Sequence, residues 1–301
     1  MRAQSRTRIL GGVSGIVFAS IAPHGGIAVA ELCAEDELEL ARATREAMTE
    51  LGRRFDAAAA DAVVVLTPHN VHVDGHVAVV LAGNLEGSVS EEGREIALSC
   101  PVDSELSLRY LLDLVEAGVP TVGVSFGAND PEQAAMPLDW GALIPLWFMG
   151  GRSEPQVPVV LVAPPRDLSP ATLVEAGLVL AVSARDSGKR VALIASADHG
   201  HAHDPEGPYG FDPASASYDE LMVELVGGNR LEELVSLEPA FVEVARADSF
   251  WQLLVLHGAL GTAFDADLLC YEAPTYFGML CAAFTPKESA GGSRRGTRTT
   301  R

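Results

Sequence analysis

Cysteine is scarce in this chain of 301 residues. Its four cysteines are Cys33, Cys100, Cys270 and Cys281, and no two of them form a Cys-x-x-Cys pair. Four scattered cysteines exclude a disulfide-stapled scaffold. Cys270 and Cys281 stand in apolar runs, which is typical of small core residues. The expected location is therefore a reducing cytoplasm.

Basic residues are also few. Lysine and arginine number 21 against 41 acidic residues, giving a formal net charge of −20. Many of the basic residues cluster at the two ends, so the central part of the chain is more acidic still. A body of this charge repels nucleic acid phosphates and anionic lipid. We expect a protein that binds neither nucleic acid nor membranes.

No apolar run is long and uninterrupted enough to span a membrane. The first 22 residues have two interpretations. A basic start, an apolar run from Ile9 and small residues near its end imitate a signal peptide. The same residues also suit a buried strand from Gly15 to Ala22. We favour the strand, because the same pattern of an apolar run followed by a polar turn recurs downstream.

Internal repeats and a Pro- or Gly-rich central linker are absent as well. Short apolar runs instead alternate with amphipathic segments, which indicates a parallel sheet covered by helices on both faces. The sequence predicts an α/β fold, a single large domain over residues 9–285 with a mostly parallel central sheet flanked by helices. Residues 71–99 are expected to hold a hairpin or an active-site loop. The Gly/Ser/Arg-rich residues 286–301 are expected to be a disordered tail.

Histidines follow the predicted strands. His24 comes after the strand at 15–22, and His69 after the strand at 62–67. In open α/β sheets, ligands bind at the carboxyl ends of the parallel strands. Seven of the eight histidines lie at or beyond such ends, and the exception, His257, lies in a predicted helix. The remaining five are His72, His76, His199, His201 and His203.

One acidic residue, Glu272, also follows a predicted strand, at 266–271. Two imidazoles and one carboxylate suit a divalent first-row metal and leave coordination positions open. A further histidine could then act as an acid–base group, because an imidazole titrates near neutrality. A single loop histidine is more commonly a surface residue than a ligand. The repeated position at strand ends is what favours a metal site.

Four motifs in order resemble the class III extradiol ring-cleavage dioxygenases. They are Ala-Pro-His24-Gly, Thr-Pro-His69, Ser196-Ala-Asp-His-Gly-His201 and Glu272-Ala-Pro-Thr-Tyr-Phe-Gly. The resemblance covers about residues 14 to 284. It implies Fe(II) held by His24, His69 and Glu272. It also implies a catalytic histidine, placed at His201 in preference to His199.

The sequence departs from this family at one position. Members often carry Asp-His-Gly, whereas this chain has Asp139-Trp140-Gly141. An indole cannot exchange protons with a substrate oxygen as an imidazole can, although it can stack on an aromatic ligand. Trp140 therefore bears on the substrate class.

The resemblance implies ring cleavage of a catechol-type aromatic, a vicinal diol or an aminophenol, by O2. Its implied partners are a small aromatic substrate, a second copy of the chain and, in some members, a small second subunit. Two alternatives stay open. One is a non-catalytic metal- or partner-binding member of the same fold. The other is a zinc- or manganese-dependent hydrolase that uses the same site.

Overall fold

The computed structural model describes residues 15–287. Residues 9–14 of the predicted domain lie outside the described residues, and so does the expected tail from residue 288 onward. The predicted first strand is confirmed at Gly15–Ala22.

The described residues contain eleven strands and seven α-helices, joined by turns and short 3-10 helices. The strands are β1 (Gly15–Ala22), β2 (Ala62–Leu66), β3 (Val77–Val80), β4 (Asn84–Glu91), β5 (Arg94–Pro101), β6 (Thr121–Val124), β7 (Ala135–Pro137), β8 (Val159–Ala163), β9 (Arg190–Ser196), β10 (Phe264–Glu272) and β11 (Met279–Pro286). The helices are α1 (Arg42–Ala58), α2 (Ser104–Glu116), α3 (Trp140–Phe148), α4 (Pro170–Asp186), α5 (Pro213–Gly227), α6 (Pro239–Val244) and α7 (Phe250–Leu260).

Eight strands form the central sheet in the order β10-β11-β1-β9-β2-β8-β3-β6. The middle strands β1, β9, β2 and β8 run parallel to their neighbours in this group. β11 runs antiparallel to both β1 and β10, and β3 runs antiparallel to β8. The prediction of one α/β domain with a mostly parallel sheet is confirmed.

The central strands are apolar on both faces because helices cover both. In β2, Val64 and Leu66 point into one core with α2, α4, α5 and α7. Val63 and Val65 point into a second core with α1 and α3. Alternate side chains of a strand face opposite sides, so an uninterrupted apolar run is what a doubly covered strand requires. No helix within residues 15–287 is both long and apolar enough to cross a lipid bilayer.

Two segments differ in detail from the sequence prediction. The helix predicted over 34–55 begins only at Arg42, after short 3-10 turns. Glu37 receives a hydrogen bond from the backbone N–H of Ala34 and so closes a turn there instead of starting the long helix. Residues 71–99 do contain a hairpin, β4–β5, which forms a three-stranded sheet with β7.

Candidate metal centre

His24 follows β1 directly and is held from two sides. Its backbone N–H donates to Asp198 Oδ1 at 3.0 Å, and its Nδ1 lies 2.9 Å from Ser196 Oγ. The Ser196 hydroxyl donates its single proton to the carbonyl of Gly141. It therefore accepts from His24 Nδ1–H, which leaves the lone pair of Nε2 free. A partner of this kind fixes the tautomer that a metal-binding imidazole needs.

His69 lies in the turn after β2, where its backbone N–H donates to Thr67 Oγ1 at 3.2 Å. Its Nε2 is 3.2 Å from Nε2 of His24. Trp140 packs against its other side, with ring centroids 4.3 Å apart and planes tilted by 39°. The two histidines predicted as ligands are therefore brought together, and Trp140 restricts the ring of the second one.

Asp248 completes a group of three. Its Oδ2 lies 3.6 Å from Nε2 of His24 and 3.4 Å from Nε2 of His69. Donors about 2.1 Å from one ion stand about 3.0 Å apart in octahedral and about 3.4 Å apart in tetrahedral geometry. The separations of 3.2 and 3.4 Å fall in that range, and the separation of 3.6 Å lies just above it. Among the described residues, only these three side chains form a set of donors close enough for one metal ion.

Glu272, predicted as the third ligand, is not in this group. It ends β10, which is separated from β1 by β11. Its carboxylate accepts a hydrogen bond from the backbone N–H of Thr44 at 2.7 Å, in the first turn of α1. The side chain therefore serves a helix N-terminus. The position expected for Glu272 beside the imidazoles is taken by Asp248.

Asp248 was missed because its local sequence has another explanation. Residues 248–260 read as a helix that begins with an acidic residue, which is a common arrangement at helix N-termini. In the structure the helix cap of α7 is Ser249, and no side chain caps it by a hydrogen bond. The carboxylate of Asp248 turns instead to the histidines and to Arg166. An Asp-Ser pair at the start of a helix does not by itself indicate that the aspartate faces two histidines.

The electrostatics of the group suit a cation. Burial and the nearby His24 lower the pKa of His69 to about 4, so His69 is neutral at pH 7. Burial also opposes a charge on His24, but the carboxylates of Asp198 and Asp248 outweigh it and raise the pKa of His24. Burial opposes ionisation of Asp248, yet His24 and Arg166 outweigh it and lower the pKa of that carboxyl. A carboxylate thus stands beside two nitrogen donors.

His201 lies at the edge of the metal centre with a defined tautomer. Its Nδ1 is 2.7 Å from the carbonyl oxygen of His199 and 3.0 Å from that of Arg246. Two acceptors require a proton on Nδ1, so Nε2 of the neutral ring carries the lone pair. The ring stacks on Phe277 with centroids 5.6 Å apart. His201 is therefore a histidine with a free nitrogen next to the cluster.

The other histidines have different surroundings. His199 is fully buried and its Nδ1 pairs with Ser249 Oγ at 3.0 Å. His203 pairs with the buried carboxylate of Asp219 at 2.8 Å. His72 and His76 lie in an exposed loop, and His257 lies in α7. Of the histidines after β9, His201 is the one that faces open space near the cluster.

Two cavities meet at the cluster and share His69, His201 and Tyr209. The first, of about 490 Å³, is lined by Arg166, Arg246 and Trp251 beside Asp248. The second, of about 730 Å³, contains His24 and the aromatic rings of Trp140, Tyr276 and Phe277; its charged lining consists of carboxylates. Volumes of this size suit a small organic ligand.

The chain matches a known family. Residues 19–280 match the family described as the catalytic LigB subunit of aromatic ring-opening dioxygenase. The match covers most of the chain, and the protein belongs to this family.

Two similar proteins have names that state no activity. Protein CA_C1420 of Clostridium acetobutylicum is 24% identical over 254 residues, which are 83% of this chain and 53% of that protein. The chain thus spans about half the length of this curated relative. The crystal structure of uncharacterized protein JW3007 from Escherichia coli K12 covers 89% of this chain and 99% of its own, with a TM-score of 0.57 and 19% identity. That likeness concerns the fold alone.

Proposed function

We propose that this protein is a non-haem Fe(II)-dependent dioxygenase that opens the ring of a catechol-type aromatic, a vicinal diol or an aminophenol, with O2. The proposal rests mainly on one observation. Three donor atoms, His24 Nε2, His69 Nε2 and Asp248 Oδ2, lie close together at the carboxyl ends of β1 and β2. Family membership adds the reaction type. Asp248 takes the place of Glu272 in the proposed ligand set.

The donor set fits ferrous iron. Two neutral imidazoles and one carboxylate on one side of an ion leave its other positions open. Iron bound there would supply the chelation of the substrate oxygens and the electron transfer to O2. The two uncharged rings and one carboxylate leave a net positive charge on the loaded site, which favours the deprotonated form of a bound hydroxyl.

His201 is the proposed acid–base residue. Because Nδ1 is committed to two carbonyl groups, Nε2 takes the proton of a substrate hydroxyl and later returns it to the product. His199 belongs to the same loop, but its burial against Ser249 suits a supporting residue. This assignment agrees with the preference for His201 in the sequence motif.

The aromatic rings of the larger cavity position the substrate. Trp140 stands beside His69, and Phe277 stands beside His201. An aromatic ligand bound at the metal would meet ring faces or edges on both sides. Trp140 thus offers a stacking surface at the position where many family members carry the histidine of Asp-His-Gly.

The ligand assignment is tested by a pair of substitutions. Asp248→Asn should weaken Fe(II) affinity by at least about 100-fold, more than the loss of a ligand's hydrogen-bond partner usually costs. Glu272→Gln should leave that affinity unchanged. Iron content after anaerobic loading and chelator competition measure both. Normal iron binding by Asp248→Asn, with loss in Glu272→Gln, would return the ligand role to Glu272.

Oxygen uptake with catechols and aminophenols tests the reaction. The loaded protein should consume O2, and His201→Ala should keep its iron but lose about 10²- to 10⁴-fold in turnover. Iron binding without O2 uptake on any compound would favour a non-catalytic member of the fold. Full occupancy by zinc after purification without added metal, together with hydrolytic activity, would favour the hydrolase.

A further inference from the structure

Asp139 occupies a helix-cap position without acting as a cap. It is the N-cap residue of α3, and its backbone carbonyl accepts the N–H groups of Ala142 and Leu143. No backbone N–H of α3 donates to its carboxylate. An aspartate at this position usually accepts such a bond with its side chain. The carboxylate of Asp139 is therefore free for another role.

One oxygen of this carboxylate has no partner among the described residues. Oδ1 receives a long hydrogen bond of 3.4 Å from Thr67 Oγ1. Oδ2 is buried from solvent and receives none. An unpaired buried carboxylate oxygen is costly, and a charged acceptor forms strong hydrogen bonds when a donor reaches it. A bound ligand with a hydrogen-bond donor would supply the partner that the protein does not give to this carboxylate.

Asp139 forms part of the wall of the larger cavity of the metal centre. Asp139 lines that cavity together with His24, His69 and His201. A side chain added at Gly141 would begin 2.8 Å from Asp139 Oδ1 and 2.9 Å from Cδ2 of His69. The carboxylate and the proposed ligand ring thus flank one point. A substrate at the metal would lie beside Asp139.

The other carboxylates of this cavity are already engaged or open to solvent. Glu37 accepts the N–H of Ala34, and Asp198 accepts that of His24. Glu91 is exposed near the tip of the β4–β5 hairpin. These carboxylates add negative potential to the larger cavity. The two arginines near the cluster, Arg166 and Arg246, line the smaller cavity instead. The larger cavity therefore favours a donor or a cation over an anion.

We propose that Asp139 is a substrate-binding residue. Its carboxylate, to which the side chains of the protein give one long hydrogen bond, accepts a hydrogen bond from a hydroxyl or ammonium group that the aromatic substrate carries besides its two metal-binding atoms. This inference rests on the proposed function. It assigns the substrate class as a catechol or aminophenol with an additional donor group, and it gives Asp139 a role at the place where Trp140 removes the family's imidazole.

Matched compounds test the inference on the Fe(II)-loaded protein without oxygen and on the metal-free protein. Pyrogallol is compared with 3-methoxycatechol, 1,2,4-benzenetriol with 4-methoxycatechol, and dopamine with 4-ethylcatechol. At least one donor compound should bind about 10-fold more tightly than its partner, as a charge-assisted hydrogen bond predicts. The pair that shows this preference identifies the donor as a hydroxyl or an ammonium group. Titration calorimetry gives the dissociation constants.

Two variants assign the preference to Asp139. Asp139→Ala removes the acceptor and Asp139→Asn keeps its shape without the charge, and both should reduce the preference to less than about 3-fold. Asp103→Asn is the control, because Asp103 is an N-cap that does accept from its helix, at Leu106, and lies outside both cavities. It should keep the wild-type preference. A cooperative thermal unfolding transition in each would show that all three variants are folded.

Several results would overturn the inference. One is the absence of a donor preference in every pair, and another is the same preference in both Asp139 variants. A third is tighter binding of 3,4-dihydroxyphenylacetate than of dopamine, which would assign substrate selection to Arg166 and Arg246. Failure to bind iron or to consume O2 would count against the proposed function. The compound preference is a separate test, because it is also measured in the metal-free protein.

Discussion

At the scale of single residues, the centre depends on which nitrogen of each histidine is free. In His24 the chain from Nδ1 to Ser196 and the Gly141 carbonyl leaves Nε2 for a metal. In His201 two backbone carbonyls leave Nε2 for a proton. Both arrangements use partners that are distant in sequence or set by loop geometry. The residue types permit this chemistry, and their neighbours select it.

The pKa shifts predict how metal affinity depends on pH. Asp198 and Asp248 raise the pKa of His24 above the ordinary 6.5 despite its burial. As the pH falls through that value, a proton occupies the nitrogen that the metal needs. Apparent affinity should then fall about tenfold per pH unit. His69, with a pKa of about 4, should add to the slope only in stronger acid.

Chelator competition at a series of pH values measures this dependence. The decline should begin at a higher pH than an ordinary histidine would give. An affinity that stays constant from about pH 8 to about pH 5 would remove His24 from the ligand set, because a ligand imidazole must lose its proton to bind.

At the scale of secondary-structure elements, the start of α1 is completed from another part of the chain. Its N-cap residue, Ala41, has no side chain that could accept a hydrogen bond. Glu272, at the end of β10, accepts the N–H of Thr44 instead. A carboxylate at a helix N-terminus satisfies an unpaired donor and opposes the positive end of the helix dipole. This contact joins an edge strand to the helix that covers it.

Glu272→Ala should therefore reduce stability and spare the metal site. Loss of a helix cap costs about 1 kcal/mol in the free energy of unfolding, and urea denaturation would measure it. Glu238→Ala is a suitable control, because Glu238 is the N-cap of α6 and makes no side-chain cap hydrogen bond. A Glu272→Ala protein with wild-type stability would show that the contact with Thr44 contributes little.

At the scale of the whole molecule, two helices on one face of the sheet cross at unusually short range. A Cβ at Gly177 in α4 would stand 2.0 Å from the carbonyl oxygen of Val255 in α7. A Cβ at Gly258 in α7 would stand 2.0 Å from that of Val174 in α4. Both contacts are far inside van der Waals distance. Glycine at these two positions lets α4 and α7 approach, and α7 begins two residues after Asp248.

Gly177→Ala or Gly258→Ala should separate the two helices. We expect a loss of about 1–3 kcal/mol in the free energy of unfolding, as for other overpacked cores. Gly227→Ala is the matched control, since its Cβ would meet only Leu268 Cδ2, at an ordinary 3.7 Å. Thermal unfolding of the three variants gives the comparison. Equal stability of Gly177→Ala and Gly227→Ala would contradict the close crossing.

Much of the fold was predictable because its signals are local. The apolar runs of β1, β2 and β9, and the Ser169-Pro170 start of α4, each follow from a few adjacent residues. The strand β11 was not predicted, although it separates β10 from β1. Its apolar residues do not reveal which strands it joins, because strand pairing depends on segments that are far apart in the sequence.

The sequence by itself determined the fold class and put His24 and His69 at one edge of the sheet, because parallel strands end together there. The tertiary structure decided which carboxylate joins them. Glu272 and Asp248 both follow plausible local patterns, one after a strand and one before a helix. The packing of α1 and α7 against the sheet turns the first carboxylate to Thr44 and the second to the histidines. The direction of a side chain depends on what packs against its element, and that information is not local in the sequence.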